Sequence, residues 1–257
     1  MTALIRSEVR RGVATLTLDS PDNRNALSVA LIDQLLTALD AAERDDAVRV
    51  IVLSHTGAVF SSGADLKETA AALATGEVPV ARLGDLLAAI WESRKPVVAR
   101  VAGAARAGGI GLIAAADIAV CSTAATFAFT EVRIGVIPAV ISATVLPRLS
   151  ARAAAELYLT GEVFDGERAA EIGLVTIAVD PPELDATVMH YAATLVRGAP
   201  AALAGAKSLL RRDRPATFRD DIAVLSEMSV GYFGSDEGRE GMAAFREKRD
   251  PMWVPQD

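Results

Sequence analysis

Glu131 stands in the apolar run Phe127-Ala-Phe-Thr-Glu-Val-Arg-Ile-Gly-Val-Ile-Pro138, where burial should raise a carboxyl's pKa toward values useful for proton transfer. A structural carboxylate paired with Arg133 is the plainer alternative. Two bare backbone stretches complete the set of residues that could do chemistry. One is Phe60-Ser61-Ser62-Gly63-Ala64-Asp65-Leu66-Lys67-Glu68, which follows an apolar run and leads into a helical pattern. The other is Arg106-Ala107-Gly108-Gly109-Ile110-Gly111, which opens a short apolar helix. Small residues just before a helix start leave backbone N–H groups free and unshielded. Two such turns could each aim one N–H at a single oxygen, the main-chain device that stabilises a carbonyl gaining negative charge. From spacing alone, two ordinary strand-to-helix turns are the favoured reading.

A second chemistry competes for the same glycines. Gly109-Ile110-Gly111-Leu112-Ile113-Ala114 fits G-x-G-x-x-A, and Glu131 falls twenty positions beyond Gly111, where a dinucleotide fold places its ribose ligand. The context fails. The strand signal before the glycines ends near Val101, and the next begins at Ile118. About eight residues remain for a helix, whereas a parallel crossover needs roughly a dozen or more. The two histidines, His55 and His190, belong to no nucleophile pattern and no zinc-ligand spacing.

Positioning these residues requires a scaffold, and its elements are partly legible. Runs rich in β-branched residues predict strands at 13–18, 48–53, 97–101 and 118–121, with a weaker one at 174–179. Between the first two, Ser28 is the expected N-cap of a helix whose apolar stripe is Leu31, Ile32, Leu35, Leu36 and Leu39. A second helix runs through Leu83, Leu86, Leu87, Ile90 and Trp91 and stops before Pro96. Beyond about residue 182 only helical patterns remain, broken at 198–200, at Arg214-Pro215 and at 234–236. The expectation is an α/β core over 1–195 and a helical segment over 196–257.

Composition narrows the function classes. Half of the 257 residues are hydrophobic and mean hydropathy is +0.31, enough for a sizeable core. The net charge of −7 argues against nonspecific nucleic-acid binding. No run of eighteen uncharged apolar residues suggests a membrane span. Cys121 is the only cysteine, so no disulfide forms within the chain, and charges interrupt the opening MTALIRSEVRRG where a secretory core would be apolar. A cytoplasmic protein is expected.

Six landmarks in order decide between the two uses of the glycines: SPDNRNALS, FSSGADLKE, KPVVARVAGAARAGG, ADIAVCSTAATFAFTEVRIGVIP, LTGEVFDGERAAEIGLV and EGMAAFREKRDP. Together they resemble the crotonase (enoyl-CoA hydratase/isomerase) superfamily over nearly the whole chain. The resemblance implies a crotonase-type α/β spiral of ββα turns with a C-terminal helical segment that covers the site and contributes to oligomerisation, assembled as trimers or as hexamers built from two trimers. It implies an acyl-CoA thioester as substrate, with no metal and no cofactor beyond the coenzyme A the substrate carries. The N–H groups of Ala64 and Gly108 would hold the thioester oxygen. Arg24, Ala26, Ser62, Asp65 and Leu66 would lie along the adenine and pantetheine. Lys248 would reach the CoA phosphates, or is a solvated helical lysine.

Family hydratases commonly use two glutamates, and Gly111 occupies the position of the second. The chain departs from the pattern there, which puts two-acid hydration in doubt. The local text is most similar to a bacterial branch of one-glutamate hydratases that includes 3-methylglutaconyl-CoA hydratase-like enzymes. Hydration with Glu131 in both proton roles is therefore expected. Isomerisation or another reaction with one glutamate, and non-catalytic acyl-CoA binding, are the alternatives. Arg106 and Arg133 are candidates to hold a distal carboxylate, against a plain surface role for each.

Overall fold

The computed structural model describes residues 2–73, 80–211 and 218–252. Strands β1 (Ile5–Arg10) and β2 (Val13–Leu18) form an antiparallel hairpin, followed by helix α1 (Val29–Arg44). Three units then repeat one plan, in which each gives a longer strand to one sheet, a three-residue strand to another, and then helix. The first is β3 (Val50–His55), β4 (Val59–Ser61), α2 (Leu66–Leu73) and α3 (Val80–Glu92). The second is β5 (Val97–Val101), β6 (Ala104–Arg106) and α4 (Gly108–Ala115). The third is β7 (Ile118–Ser122), β8 (Thr126–Ala128), a 3-10 turn Glu131–Ile134, α5 (Ala139–Val145) and α6 (Ala151–Thr160). Then come β9 (Phe164–Asp165), α7 (Gly166–Glu171), β10 (Ile177–Val179), α8 (Leu184–Val196), α9 (Pro200–Leu209), α10 (Phe218–Phe233) and α11 (Asp236–Glu247).

The larger sheet runs β1-β2-β3-β5-β7-β10, parallel from β2 onward, and the smaller runs β4-β6-β8-β9. This is the expected α/β spiral of ββα turns. The central strands β3, β5 and β7 are covered on both faces, which is why they read as continuous apolar runs rather than alternating ones. Val50, Val52, Val98 and Val120 pack under Leu184, Val188 and Ala192 of α8, while Ile51, Leu53, Val97 and Ala99 face the main core.

Local signals hold where they rest on specific chemistry. The Ser28 hydroxyl accepts from the Leu31 N–H at 3.2 Å, and Leu31, Ile32, Leu35 and Leu39 are buried. Two boundaries differ. The strand expected at 48–53 starts at Val50, because its ladder begins opposite Val13, just after the hairpin turn. The strand expected at 174–179 starts at Ile177, because the N–H groups of Leu174 and Val175 are spent on the Ala169 carbonyl, closing α7. In the C-terminal part, the breaks at 198–200 and 234–236 separate helices; Arg214-Pro215 lies outside the described residues. No helix among the described residues is long and apolar enough to cross a membrane.

Candidate active site

The turn after β4 and the turn after β6 are pressed together because the two strands are parallel neighbours. Gly63 has φ +86, and an added Cβ there would lie 2.8 Å from the Ala107 Cβ and 3.4 Å from the Gly108 N. Gly109 is equally confined, its Cβ position lying 2.8 Å from that of Ser61. The bareness of these stretches thus serves a close approach of two backbones. Gly108 is the first residue of α4, where an N–H has no partner inside the helix, and the positive end of the helix dipole adds to it. Ala107 holds φ 46 and ψ −119, a conformation unusual for alanine. Its ψ sets the plane of the peptide that carries the Gly108 N–H. Strain of this kind costs about 1–3 kcal/mol and collects at functional sites.

The segment at 20–28 fixes the other turn. Leu27 donates to the Gly63 carbonyl at 2.8 Å and Ser62 donates to the Arg24 carbonyl at 3.0 Å. Asn25 is fully buried and staples this segment to the β3–β4 connection. Its amide donates to the carbonyls of Thr56 and Val59, and its oxygen accepts from the Ser20 N–H. No backbone acceptor meets the N–H of Ala64 or of Gly108 among the described residues. Behind them, Arg148 donates to the carbonyls of Ala114 and Ala116 and caps the far end of α4.

Ala64, Gly108 and Glu131 line one cavity of about 50 Å³, with Leu27, Leu83, Val140, Ile141 and Phe233 among its apolar walls. Glu131 is buried, and its Oε2 has no hydrogen-bond partner. Desolvation pushes its carboxyl up to about 7, against the smaller opposing effect of a hydrogen bond from its own backbone N–H. Arg133 does not neutralise it, since that guanidinium turns outward to the Thr160 carbonyl. Arg106 donates instead to the carbonyls of Ala105 and Thr126 and to the Thr126 hydroxyl. Neither arginine lines the cavity, so the structure gives no support to a carboxylate clamp there.

The family's sequence description, enoyl-CoA hydratase/isomerase, matches residues 8–256. The chain belongs to that family. An enoyl-CoA hydratase from Mycobacterium avium has the same fold, with TM-score 0.89, 48% identity, 99% of this chain covered and 100% of that one. Mouse enoyl-CoA hydratase domain-containing protein 3, mitochondrial, is 33% identical over 94% of this chain and 81% of its own. The trans-2-decenoyl-[acyl-carrier-protein] isomerase of Streptococcus mutans is 28% identical, over 96% of each chain. This hydratase/isomerase family member is accordingly an enzyme, and the family implies an acyl-CoA substrate.

The remaining sequence candidates sit outside the cavity of this family member. Arg24 is exposed and Ala26 buried on the segment stapled by Asn25. Ser62 and Leu66 flank the turn, and the Asp65 carboxylate accepts from the N–H groups of Lys67 and Glu68, capping α2. Lys248 is exposed at the end of α11. Gly111 does not line the cavity, and its Cβ position is taken up against Ile141. His55 is buried and accepts from the Ala102 N–H at 3.0 Å, a structural use. Sequence reasoning missed Asn25 as a staple and missed Ser229 and Phe233 of α10 as cavity walls. Nothing local marks those two; only the docking of α10 on α3 and α5 brings them in.

Proposed function

We propose that the enzyme adds water across the 2,3-double bond of a neutral enoyl-CoA, with Glu131 as its single acid–base group. The observation that carries this is the Glu131 carboxyl, buried with its Oε2 unpartnered in the cavity that Ala64 and Gly108 also line. Glu131 takes a proton from water as the oxygen bonds to C3. The π electrons move through C2 onto the thioester oxygen, giving an enolate held by the N–H groups of Ala64 and Gly108. Protonated Glu131 then returns its proton to C2, on the same face, and the enolate collapses to the 3-hydroxyacyl thioester. Donors fixed where charge develops stabilise the transition state more than the ground state. A carboxyl near 7 can both accept and return the proton.

The lining supports a neutral acyl chain, since it includes no cation among the described residues. A branched dicarboxylate such as 3-methylglutaconyl is the less favoured substrate for the same reason. In this proposal Arg24, Ala26, Ser62, Asp65 and Leu66 cradle the adenine and pantetheine, and Lys248 meets CoA phosphates. Trimers or dimers of trimers are proposed as the assembly, supported by the exposed apolar row Val224, Met228 and Tyr232 on α10.

Incubation with crotonyl-CoA and with 3-methylglutaconyl-CoA, following enoyl absorbance and product mass, tests this directly. A gain of one water that Glu131→Gln abolishes is the expected result. Retention of most activity in that variant overturns the assignment. A second reading, 3-enoyl to 2-enoyl isomerisation, is favoured by the single carboxyl, which could move a proton between C2 and C4. Double-bond migration without mass gain would select it.

A further inference from the structure

Ser229 lies on α10, about a hundred residues from Glu131 in sequence, and is only 5% exposed. It lines the same cavity, and its hydroxyl has no hydrogen-bond partner among the described residues. Among the described residues Glu131 Oε2 is the buried side-chain atom left without a partner, so the Ser229 Oγ is open to the cavity it lines. Every other residue lining the cavity, Glu131 apart, has an apolar side chain or none. Two unpartnered polar groups therefore share one small apolar space. A single carboxyl fixes a water through one hydrogen bond and leaves it free to swing, whereas two contacts orient its lone pair.

We propose that Ser229 is the second contact of the reacting water. Its Oγ accepts one O–H of the water while Glu131 accepts the other, which aims the oxygen at C3. The transferred proton goes to Glu131 and returns to C2, so the Ser229 hydroxyl neither gains nor loses one. In the product, Ser229 keeps its hydrogen bond to the new 3-hydroxyl. The inference rests on the hydration reading above and assigns a role that Gly111 cannot fill.

The test separates water addition from proton transfer at C2. Hydration of crotonyl-CoA is measured for the wild type and Ser229→Ala, alongside exchange of the C2 hydrogen of butyryl-CoA in D2O. That exchange needs Glu131 and the two N–H groups but no water at C3. Ser229→Ala should lower hydration kcat about tenfold, the worth of one hydrogen bond, with exchange within about twofold of wild type. Undiminished hydration overturns the Ser229 role alone. An equal fall in both reactions also overturns it, as a merely structural effect. A wild type that neither hydrates nor exchanges overturns the hydration reading itself.

Discussion

A Cβ added to Gly111 would lie 2.6 Å from Cγ2 of Ile141 and 3.0 Å from its Cβ. The position to which the family resemblance assigns a second acid thus abuts Ile141, a wall of the cavity. α4 and α5 pack together at this point, and the Thr144 hydroxyl donates to the Gly111 carbonyl across the same contact. The bare Gly111 and the bulk of Ile141 are two sides of one packing contact.

Restoring the acid alone should therefore fail. Gly111→Glu is expected to lower stability by about 2 kcal/mol or more, since overpacking and burial of a carboxyl add. Adding Ile141→Ala should recover part of that loss. Denaturant midpoints for the two variants check this, and a stable, more active Gly111→Glu single variant would contradict it.

Gly63→Ala should damage the site from the other side. The new Cβ would meet the Ala107 Cβ at 2.8 Å and the Arg106 carbonyl at 3.2 Å, in a left-handed conformation that alanine disfavours. Displacing either turn moves an N–H from its aim, and losing one such donor typically costs about 10²–10³ in rate. Steady-state kcat, with KM changing less, is the readout.

Activity and stability should run in opposite directions between about pH 5 and 8. Water addition needs ionised Glu131, so kcat should rise with pH through about 7. The folded pKa lies above the ordinary value of 4.5, so the folded state holds the proton more tightly than the unfolded one. Its stabilising contribution is full below about 4.5 and lost as pH rises through about 7, roughly 3 kcal/mol in all. Glu131→Gln should flatten both profiles, measured by initial rates and by unfolding at pH 5 and pH 8.

Asp117 anchors the helical segment to the core. Its carboxylate meets Lys207 and Arg211 at 2.7 Å each and also accepts from the Val97 N–H. Burial lowers the Lys207 pKa against the pull of Asp117, and Arg211 lies over the Trp91 ring. Asp117→Ala would leave two cations in a largely dry place, at a cost of roughly 3–5 kcal/mol. A fall in Tm of several degrees is expected, and an unchanged Tm would show that the pairs are solvated.

Sequence by itself determined the long elements. The strands at 13–18 and 97–101 and the Ser28 cap were legible because β-branched runs and a capping hydroxyl act within a few residues. The family landmarks likewise drew attention to Ala64, Gly108 and Glu131. The small sheet was not legible, because β4, β6 and β8 are three residues each, too short to show a period. Nor did spacing reveal where Arg106 and Arg133 point, since each guanidinium is claimed by carbonyls on segments distant in the chain. Tertiary structure alone decided that a serine on α10 lines the same cavity as a glutamate in the 3-10 turn. Local propensity fixes what a segment becomes, but which side chains share a cavity depends on how helices far apart in sequence dock, and no short window of residues encodes that.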